Sequence, residues 1–472
     1  MPGATELAID STDPRHILAR ATYGLVQSFD NGAGWQWICE AAIKISGEAD
    51  PPMAVMADGT WVVLPPAGGA LISQDKGCSW STAPAPLADN RLIDLTIDPS
   101  DHAHLLVIMS SIVSIDDQGL VEYANVLAET FDNAKTWAKV STLPSDISLE
   151  TVEIAASNPK RIYVSGEASS STLIGIIERS DDGGKTWTRT TLDLPVQSGT
   201  LLVSAVDAKD PDRLWIRLPA KGDTLGLFAA SMRMSSDKGV SWKTLASTSK
   251  AMFGFALSPD GKELAYGGPF DGLYIGPSDG TGQFTKVSNL QVRCLRWIST
   301  GLYVCGTEPA DPFSLGVSTD KGASFKSIYK LADTCPQVCS NGTQFEATCK
   351  DTWTTIGPFI KATGEACSVP WSIVDAGGVS GVGNSDAGSP EAGPRPADAG
   401  APPGDAGALP GDAGAPPGGD AAAETGRGMP PKNASSTSSG CSCSVAGNDS
   451  PAFELGLMML LSVLAAWRLR RR

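Results

Sequence analysis

Histidine is almost missing from this chain: three of 472 residues, His16, His102 and His104. The pair His102-Ala103-His104 follows Pro99-Ser100-Asp101 in a turn-like stretch, which is expected to leave it in solvent rather than on a metal. Cysteine never occurs as a C-x-x-C pair, so the usual zinc and redox spacings are missing. The single Gly-x-Ser-x-Gly stretch, Gly276-Pro277-Ser278-Asp279-Gly280, has the composition of a turn and is not read as a nucleophile site. Positive charge is scarce as well. Thirty-six Lys and Arg against 52 Asp and Glu leave a net charge of −16, which argues against nucleic acid and anionic lipid as partners. The first residues, Met1 to Ala8, show neither a basic start nor an apolar run. Seven tyrosines leave few candidates for a phenolic nucleophile.

What the chain does have is a phrase that returns. Ser180-Asp181-Asp182-Gly183-Gly184-Lys185-Thr186-Trp187 fits Ser-x-Asp-x-Gly-x-Thr-Trp, and so do Ser73 to Trp80 with Asp75, Ser235 to Trp242 with Asp237, and Ser318 to Phe325 with Asp320. Two copies are worn: Ser28 to Trp35 keeps Asp30 but has Gly34 in the hydroxyl position, and Thr130 to Trp137 keeps Asp132 but has Ala134 for Gly. A seventh, Pro277 to Phe284, retains Asp279 and the aromatic. The residue types read as a hairpin turn: the carboxylate accepts from following N–H groups, Gly permits positive φ, the hydroxyl closes the set, and the aromatic anchors the next strand.

The phrases start at 28, 73, 130, 180, 235, 277 and 318, a period of 41 to 57 residues that marks propeller blades. Before most of them stand two apolar strands around a turn rich in Asp and Pro, as in Ile97-Asp98-Pro99-Ser100-Asp101 before Leu105 to Ile108, and Ala156 to Lys160 before Ile162-Tyr163-Val164. Each unit thus supplies four antiparallel strands. The expectation is an all-β chain, with a seven-bladed β-propeller of four-stranded antiparallel blades over residues 1–331. Such a ring must close, and a segment upstream of the recorded start is expected to supply both the closing strand and an export signal.

The phrase resembles the Asp-box, or BNR repeat, of sialidases, sortilin-like receptors, xyloglucanases and photosystem-assembly propellers. That resemblance implies a turn between the third and fourth strands of each blade, away from the ligand face. It gives Asp30, Asp75, Asp132, Asp182, Asp237 and Asp320, with Trp35, Trp80, Trp137, Trp187, Trp242 and Phe325, a structural role. The sialidase arginine trio, tyrosine nucleophile and Arg-Ile-Pro motif cannot be matched to positions here. Arg15, Arg20, Arg91, Arg161, Arg179, Arg213, Arg293 and Arg296 are candidates to converge on a central pocket, though hairpin and surface roles account for most. Among 52 acidic residues no pair stands out at hydrolase spacing, and Asp116-Asp117-Gln118-Gly119 and Ser278-Asp279-Gly280 read as turns before calcium ligands. No catalytic, metal or cofactor residue is assigned.

Ten cysteines point to an oxidising compartment. A two-residue loop at Ser299-Thr300 places Cys294 opposite Cys305, and a bridge between blades one and two is expected for Cys39 and Cys78. Residues 332–374, with Cys335, Cys339, Cys349 and Cys367, are too short for their own core and are expected to rely on two disulfides and docking to the propeller; four cysteines allow three connectivities. No histidine lies near them to favour zinc.

From 375 to 440 the composition collapses to Ala, Gly, Pro and Asp, with Asp398, Asp405 and Asp412 seven residues apart. No apolar face exists there, and a disordered spacer is expected, spanning on the order of 45 Å as a coil and up to about 200 Å if polyproline-like. Residues 441–472 hold Cys441-Ser442-Cys443, a short apolar helix over Leu455 to Trp467, and Arg468-Leu469-Arg470-Arg471-Arg472. Cysteines, apolar helix and arginines in that order resemble the MYXO-CTERM sorting tail of myxobacterial surface proteins. The resemblance implies a precursor held in the inner membrane by the helix, a sorting protease that cuts near Cys441 and Cys443, and a mature protein at the cell surface or outer membrane through a lipidated cysteine. The expected activity is binding or scaffolding of a protein or glycan ligand by a monomer. A glycoside hydrolase acting on extracellular glycans, or an assembly factor for an envelope complex, are the alternatives.

Overall fold

The computed structural model describes residues 4–363, apart from 11, 46–49, 89, 169–173, 195–199, 221–228 and 341; the expectations for Cys367, the spacer, the apolar tail segment, Cys441 and Cys443 lie outside the described residues. Among those described, the strands form seven sheets, six of four strands and one of five. The chain is a seven-bladed β-propeller with four antiparallel strands per blade. Blade 1 comprises Ala4–Ile9, Ile17–Ala21, Gly24–Ser28 and Trp35–Ile38, and blade 7 comprises Cys294–Ile298, Gly301–Cys305, Leu315–Ser318 and Lys326–Tyr329. The first strands of blades 2 to 6 are Met53–Val55, Leu92–Asp98, Ile147–Ile154, Leu202–Val206 and Gly254–Leu257. They line the central bore, and the first strands of blades 1 and 7 touch to complete the ring.

The apolar cores lie between blades. One cluster joins blades 2 and 3 through Val62, Leu64, Leu105 and Val107, the next joins blades 3 and 4 through Leu106, Ile108, Val152 and Val164, and the pattern repeats around the ring. Alternate side chains of a middle strand face opposite neighbours, so a strand buried on both faces reads as a continuous apolar run. This explains why Leu105-Leu106-Val107-Ile108 is buried throughout. The aromatic ending each recurring phrase is a wedge in the seam with the preceding blade. Trp187 of blade 4 donates its Nε1–H to Ser141 Oγ of blade 3, and Trp35 of blade 1 donates to the Ile328 carbonyl of blade 7. Trp35 is almost wholly buried, and truncating such a side chain costs about 3–5 kcal/mol.

Closure of the ring departs from the sequence reading. All four strands of blade 1 lie within Ala4–Ile38, and the fastening comes from the C-terminal side. After Tyr329 the chain crosses to blade 1, where Thr334–Pro336 pairs in parallel with Trp35 to Trp37 as a fifth strand. Helix α1 (Gln344–Phe359) then docks onto blade 2, with the Phe345 N–H on the Cys78 carbonyl and the Trp80 N–H on Gln344 Oε1.

The cysteines follow the same path. Cys294 is bonded to Cys305 across its hairpin. Cys39 and Cys78 do not bridge to each other; Cys39 is bonded to Cys349 and Cys78 to Cys339. The segment after blade 7 passes both cysteines, and its Cys349 and Cys339 take the bonds that the two would otherwise make to each other. Two of these bonds tie the segment after blade 7 to the propeller. Cys335 is also disulfide-bonded.

Candidate functional site

The recurring turns join the third strand to the fourth in every blade, and their chemistry is self-contained. In blade 4, Ser180 Oγ donates to Asp182 Oδ1 at 2.8 Å and accepts the Gly184 N–H at 2.8 Å, while the carboxylate accepts the Thr186 N–H at 2.9 Å and the Thr186 hydroxyl at 2.7 Å. The same set recurs around Asp132, Asp237 and Asp320. At Asp30 and Asp75 the carboxylate accepts the N–H of Gly34 and Ser79. Two consecutive residues are left-handed: Gly183 and Gly184 at φ 78° and 83°, and Lys238 and Gly239 at 69° and 87°. The sequence marks the second of these by its glycine; the first is filled by Asn or Lys in most blades and went unnoticed.

Burial works to raise the Asp132 carboxyl, but hydrogen bonds from Thr136 and Thr130 and from the backbone bring it down to about 2. Asp237 and Asp320 are likewise held at about 2, first by the hydroxyls of Ser241 and Ser324. Carboxylates so engaged are turn struts, unavailable for acid–base work. The worn copy at Asp279 makes only a local turn, accepting the N–H and hydroxyl of Thr281.

A cavity of about 560 Å³ occupies the bore. It runs from Thr96, Glu153 and Arg296 to Pro99, Ala156, Ala208 and Pro259 at the turns between first and second strands. Those turns hydrogen-bond the recurring turns, as Lys160 does Gly183 and Asp212 does Lys238. The larger cavity thus reaches the end of the bore that carries the recurring turns, contrary to the expectation of a site on the opposite face. Its walls combine Leu95, Ile97, Phe255, Leu257, Leu295 and Trp297 with the hydroxyls of Thr96, Ser204 and Ser258. A smaller pocket of about 160 Å³ lies towards the other end, lined by Asp94, Glu150, Thr151, Ser204 and Arg217. Glu153 and Ser204 border both.

Glu153 belongs to blade 4 and Arg296 to blade 7, so the pair faces across the bore. Arg296 is open to water there, yet blades surround it on all sides. Burial pushes the Glu153 carboxyl up to about 8; the charge of Asp94 adds to this, while Arg296 and a hydrogen bond with Thr96 oppose it. Burial likewise lowers the Arg296 guanidinium against the pull of Glu153. The bore thus sets a carboxyl raised above its ordinary range beside a guanidinium, a combination able to donate hydrogen bonds from both groups while the carboxyl holds its proton.

The other arginines do not converge. Arg15 pairs with Asp13 and Arg20 with Glu40. Arg161 bridges Asp181 and Asp212, Arg179 also reaches Asp181, and Arg213 bonds Ser278. Arg293 bonds Thr307. His104, expected in solvent, is buried: its ring nitrogens lie 3.0 Å from Asp98 Oδ2 and 3.3 Å from Glu129 Oε2, and it stacks on Phe131. The strand begins at Asp101, earlier than its composition suggests, and turns His104 into the sheet. Among the described residues no group of three or more His, Cys, Asp or Glu could hold a metal ion, and no helix is long and apolar enough to cross a membrane. Arg296, one of the arginines considered for a central pocket, does line it; Glu153 carried no signal in the sequence beyond being a charged residue on a first strand.

No family model matches the chain, and no curated protein matches it. Solved structures of similar fold include an ancestral GH74 enzyme (TM-score 0.48, 13% identity, covering 68% of this chain and 46% of that one). The chain thus spans less than half the length of that enzyme. An alpha-L-arabinanase from Penicillium chrysogenum complexed with arabinobiose aligns at TM-score 0.40 and 17% identity, covering 65% of this chain and 94% of that one. YCF48 from Cyanidioschyzon merolae aligns at 0.41 and 12%, covering 65% and 93%.

Proposed function

We propose that this chain is a binding or scaffolding propeller of the Asp-box kind, exported and displayed at the cell surface, whose ligand enters the axial cavity. The observation that carries the reading is that Glu153 and Arg296 line the same cavity and feel each other's charge, among a mixed wall of aliphatic, aromatic and hydroxyl side chains. Binding sites commonly combine apolar walls with a few convergent polar groups. The ligand is a protein or glycan of the envelope and the unit is a monomer without a cofactor. Bonded cysteines support an oxidising compartment. The MYXO-CTERM-like tail supplies the route: retention in the inner membrane, cleavage near Cys441 and Cys443 by a sorting protease, and attachment at the outer membrane.

A hydrolytic reading has one observation in its favour. Burial and the charge of Asp94 push the Glu153 carboxyl up, and a carboxyl so raised is what general acid catalysis of glycoside cleavage needs. Arrays of extracellular polysaccharides and peptides probed with the full chain, Arg296→Ala and Glu153→Gln decide between the two. Binding is expected, lost in Arg296→Ala, with no release of reducing ends. Binding unchanged in Arg296→Ala overturns the axial site. Reducing ends released by the wild type and abolished in Glu153→Gln establish the hydrolase instead.

A further inference from the structure

Blade 3 carries a hairpin that outgrows its sheet. Its second strand runs Asp101–Ile115 and its third Val121–Thr130, but pairing with the first strand stops at Met109 opposite Leu92, and pairing with the fourth stops at Asn125 opposite Leu143. Beyond those points Ser110 to Ile115 pair across the hairpin with Val121 to Asn125, with a shift in register between Ile112 and Ser114. The result is a two-stranded ribbon ~20 Å long at the end of the propeller opposite the recurring turns. Residues 111–120 are exposed without a break. They include Ile112, Val113 and Ile115 at 57%, 60% and 61% exposure.

A two-stranded ribbon with β-branched side chains in water is unusual, because strand edges template association and are normally covered or charged. The outward N–H groups of Ser110 and Tyr123 are engaged by the carbonyls of Arg91 and Ser145. By strand alternation the next outward-facing residue on the second strand is Ile112, where neither neighbouring strand continues. The charges on the ribbon itself are all of one sign: Asp116, Asp117 and Glu122, with no Lys or Arg between 110 and 125.

We propose that this ribbon is a docking edge for an extended segment of a partner protein that alternates apolar and basic side chains. Such a segment adds as a further strand, making main-chain hydrogen bonds along Ile112 to Ser114. Its apolar side chains cover Ile112, Val113 and Ile115, and its cations meet Asp116, Asp117 and Glu122. A second copy of this chain is the wrong partner, because edge-to-edge pairing sets three carboxylates from each ribbon together in chains of net charge −16. A membrane is wrong because the aspartates stand at the tip that must enter first. The surface lies outside the axial cavity and goes beyond the binding reading given above.

Fluorescence anisotropy with a short labelled peptide of alternating Val and Lys, added to the full chain at low salt, tests this. Binding is expected, with a Val-Glu peptide failing to bind. The variant Ile112→Ser/Val113→Ser/Ile115→Ser, on exposed positions that leave the fold intact, is expected to bind at least about tenfold more weakly. Asp116→Asn/Asp117→Asn/Glu122→Gln is expected to weaken binding severalfold at low salt and little at high salt. Hydrogen exchange at the Ile112 amide should slow when peptide is bound. Arg296→Ala should bind normally, which separates this surface from the axial site. The proposal is overturned if the wild type does not bind the Val-Lys peptide, if Val-Glu binds as tightly, or if the triple serine variant or Arg296→Ala reverses these results. A dimer in sedimentation that the serine variant dissolves assigns the ribbon to a second copy, and flotation with phosphatidylcholine vesicles assigns it to a membrane; either replaces the proposal.

Discussion

Cys39, just past the outer strand of blade 1, is bonded to Cys349 in helix α1, 310 residues further along the chain. With Cys78 bonded to Cys339 and Thr334–Pro336 paired beside Trp35 to Trp37, this makes the segment after blade 7 a strap across the seam of the ring. Among the described residues blades 1 and 7 each draw their four antiparallel strands from one continuous stretch, and the strap fastens the ring where they meet.

Removing this bond as Cys39→Ala/Cys349→Ala should cost more than removing Cys294–Cys305. With Cys78–Cys339 intact, the extra loop that Cys39–Cys349 closes is (78 − 39) + (349 − 339) = 49 residues, against 11 for the hairpin bond. Loop-closure entropy makes that a difference of about 1 kcal/mol, on top of the roughly 2–5 kcal/mol typical of a native disulfide. Urea unfolding followed by tryptophan fluorescence measures both variants. Equal losses would show that the strap does not close the ring.

Ser180 is fully buried and its hydroxyl receives the Gly184 N–H. Ser180→Ala leaves that N–H without its partner and is expected to cost about 1–3 kcal/mol, read as a lowered midpoint in thermal unfolding. The aspartates of these turns act together in acid. Asp132, Asp237 and Asp320 lie at about 2 in the fold against an ordinary value of 3.8. A depressed carboxyl pKa adds stability that is full above the unfolded value and is lost as pH falls through the folded one. Stability should therefore hold down to about pH 4 and drop between about pH 4 and 2. A melting temperature already falling between pH 6 and 5 would show that other groups govern acid unfolding.

His104 titrates in the opposite sense. Burial pulls its imidazole down, but hydrogen bonds to Glu129 and Asp98 and their charges outweigh that and leave it raised above 6.5. A raised histidine contributes stability that is complete below the unfolded pKa and is lost as pH rises through the folded one. Wild type should lose stability relative to His104→Gln as pH rises past about 6.5, once the cation between two carboxylates is gone. Thermal unfolding of both chains across that window measures the difference. A constant gap between them would place the histidine's contribution in its stacking on Phe131 alone.

The contrast between Ser180 and Glu153 shows what could be read from the chain alone. Ser180, Asp182, Gly184, Thr186 and Trp187 lie within eight residues, and every hydrogen bond of their turn joins members of that set. Short range makes such a turn, and hence the blade count, a property of the sequence. Even there one detail depended on the next blade: Trp187 fills the seam beside Ser141, 46 positions earlier. The strand apposition of Cys294 and Cys305 was equally local, set by a two-residue loop.

Everything that required the ring to close was decided by the tertiary structure. Whether Cys39 meets Cys78 or Cys349 depends on where the chain goes after blade 7, and nothing within either cysteine's own strand encodes that route. His104 looked like a turn residue until Glu129 and Phe131, from a different strand, enclosed it. Glu153 and Arg296 stand 143 positions apart in first strands of ordinary composition. Only seven blades around one axis bring them to the same bore, where the surrounding protein raises one group and lowers the other. Local hydrogen bonding fixed the turns and the strands; the electrostatics of the site came from burial, which exists only once the ring is whole.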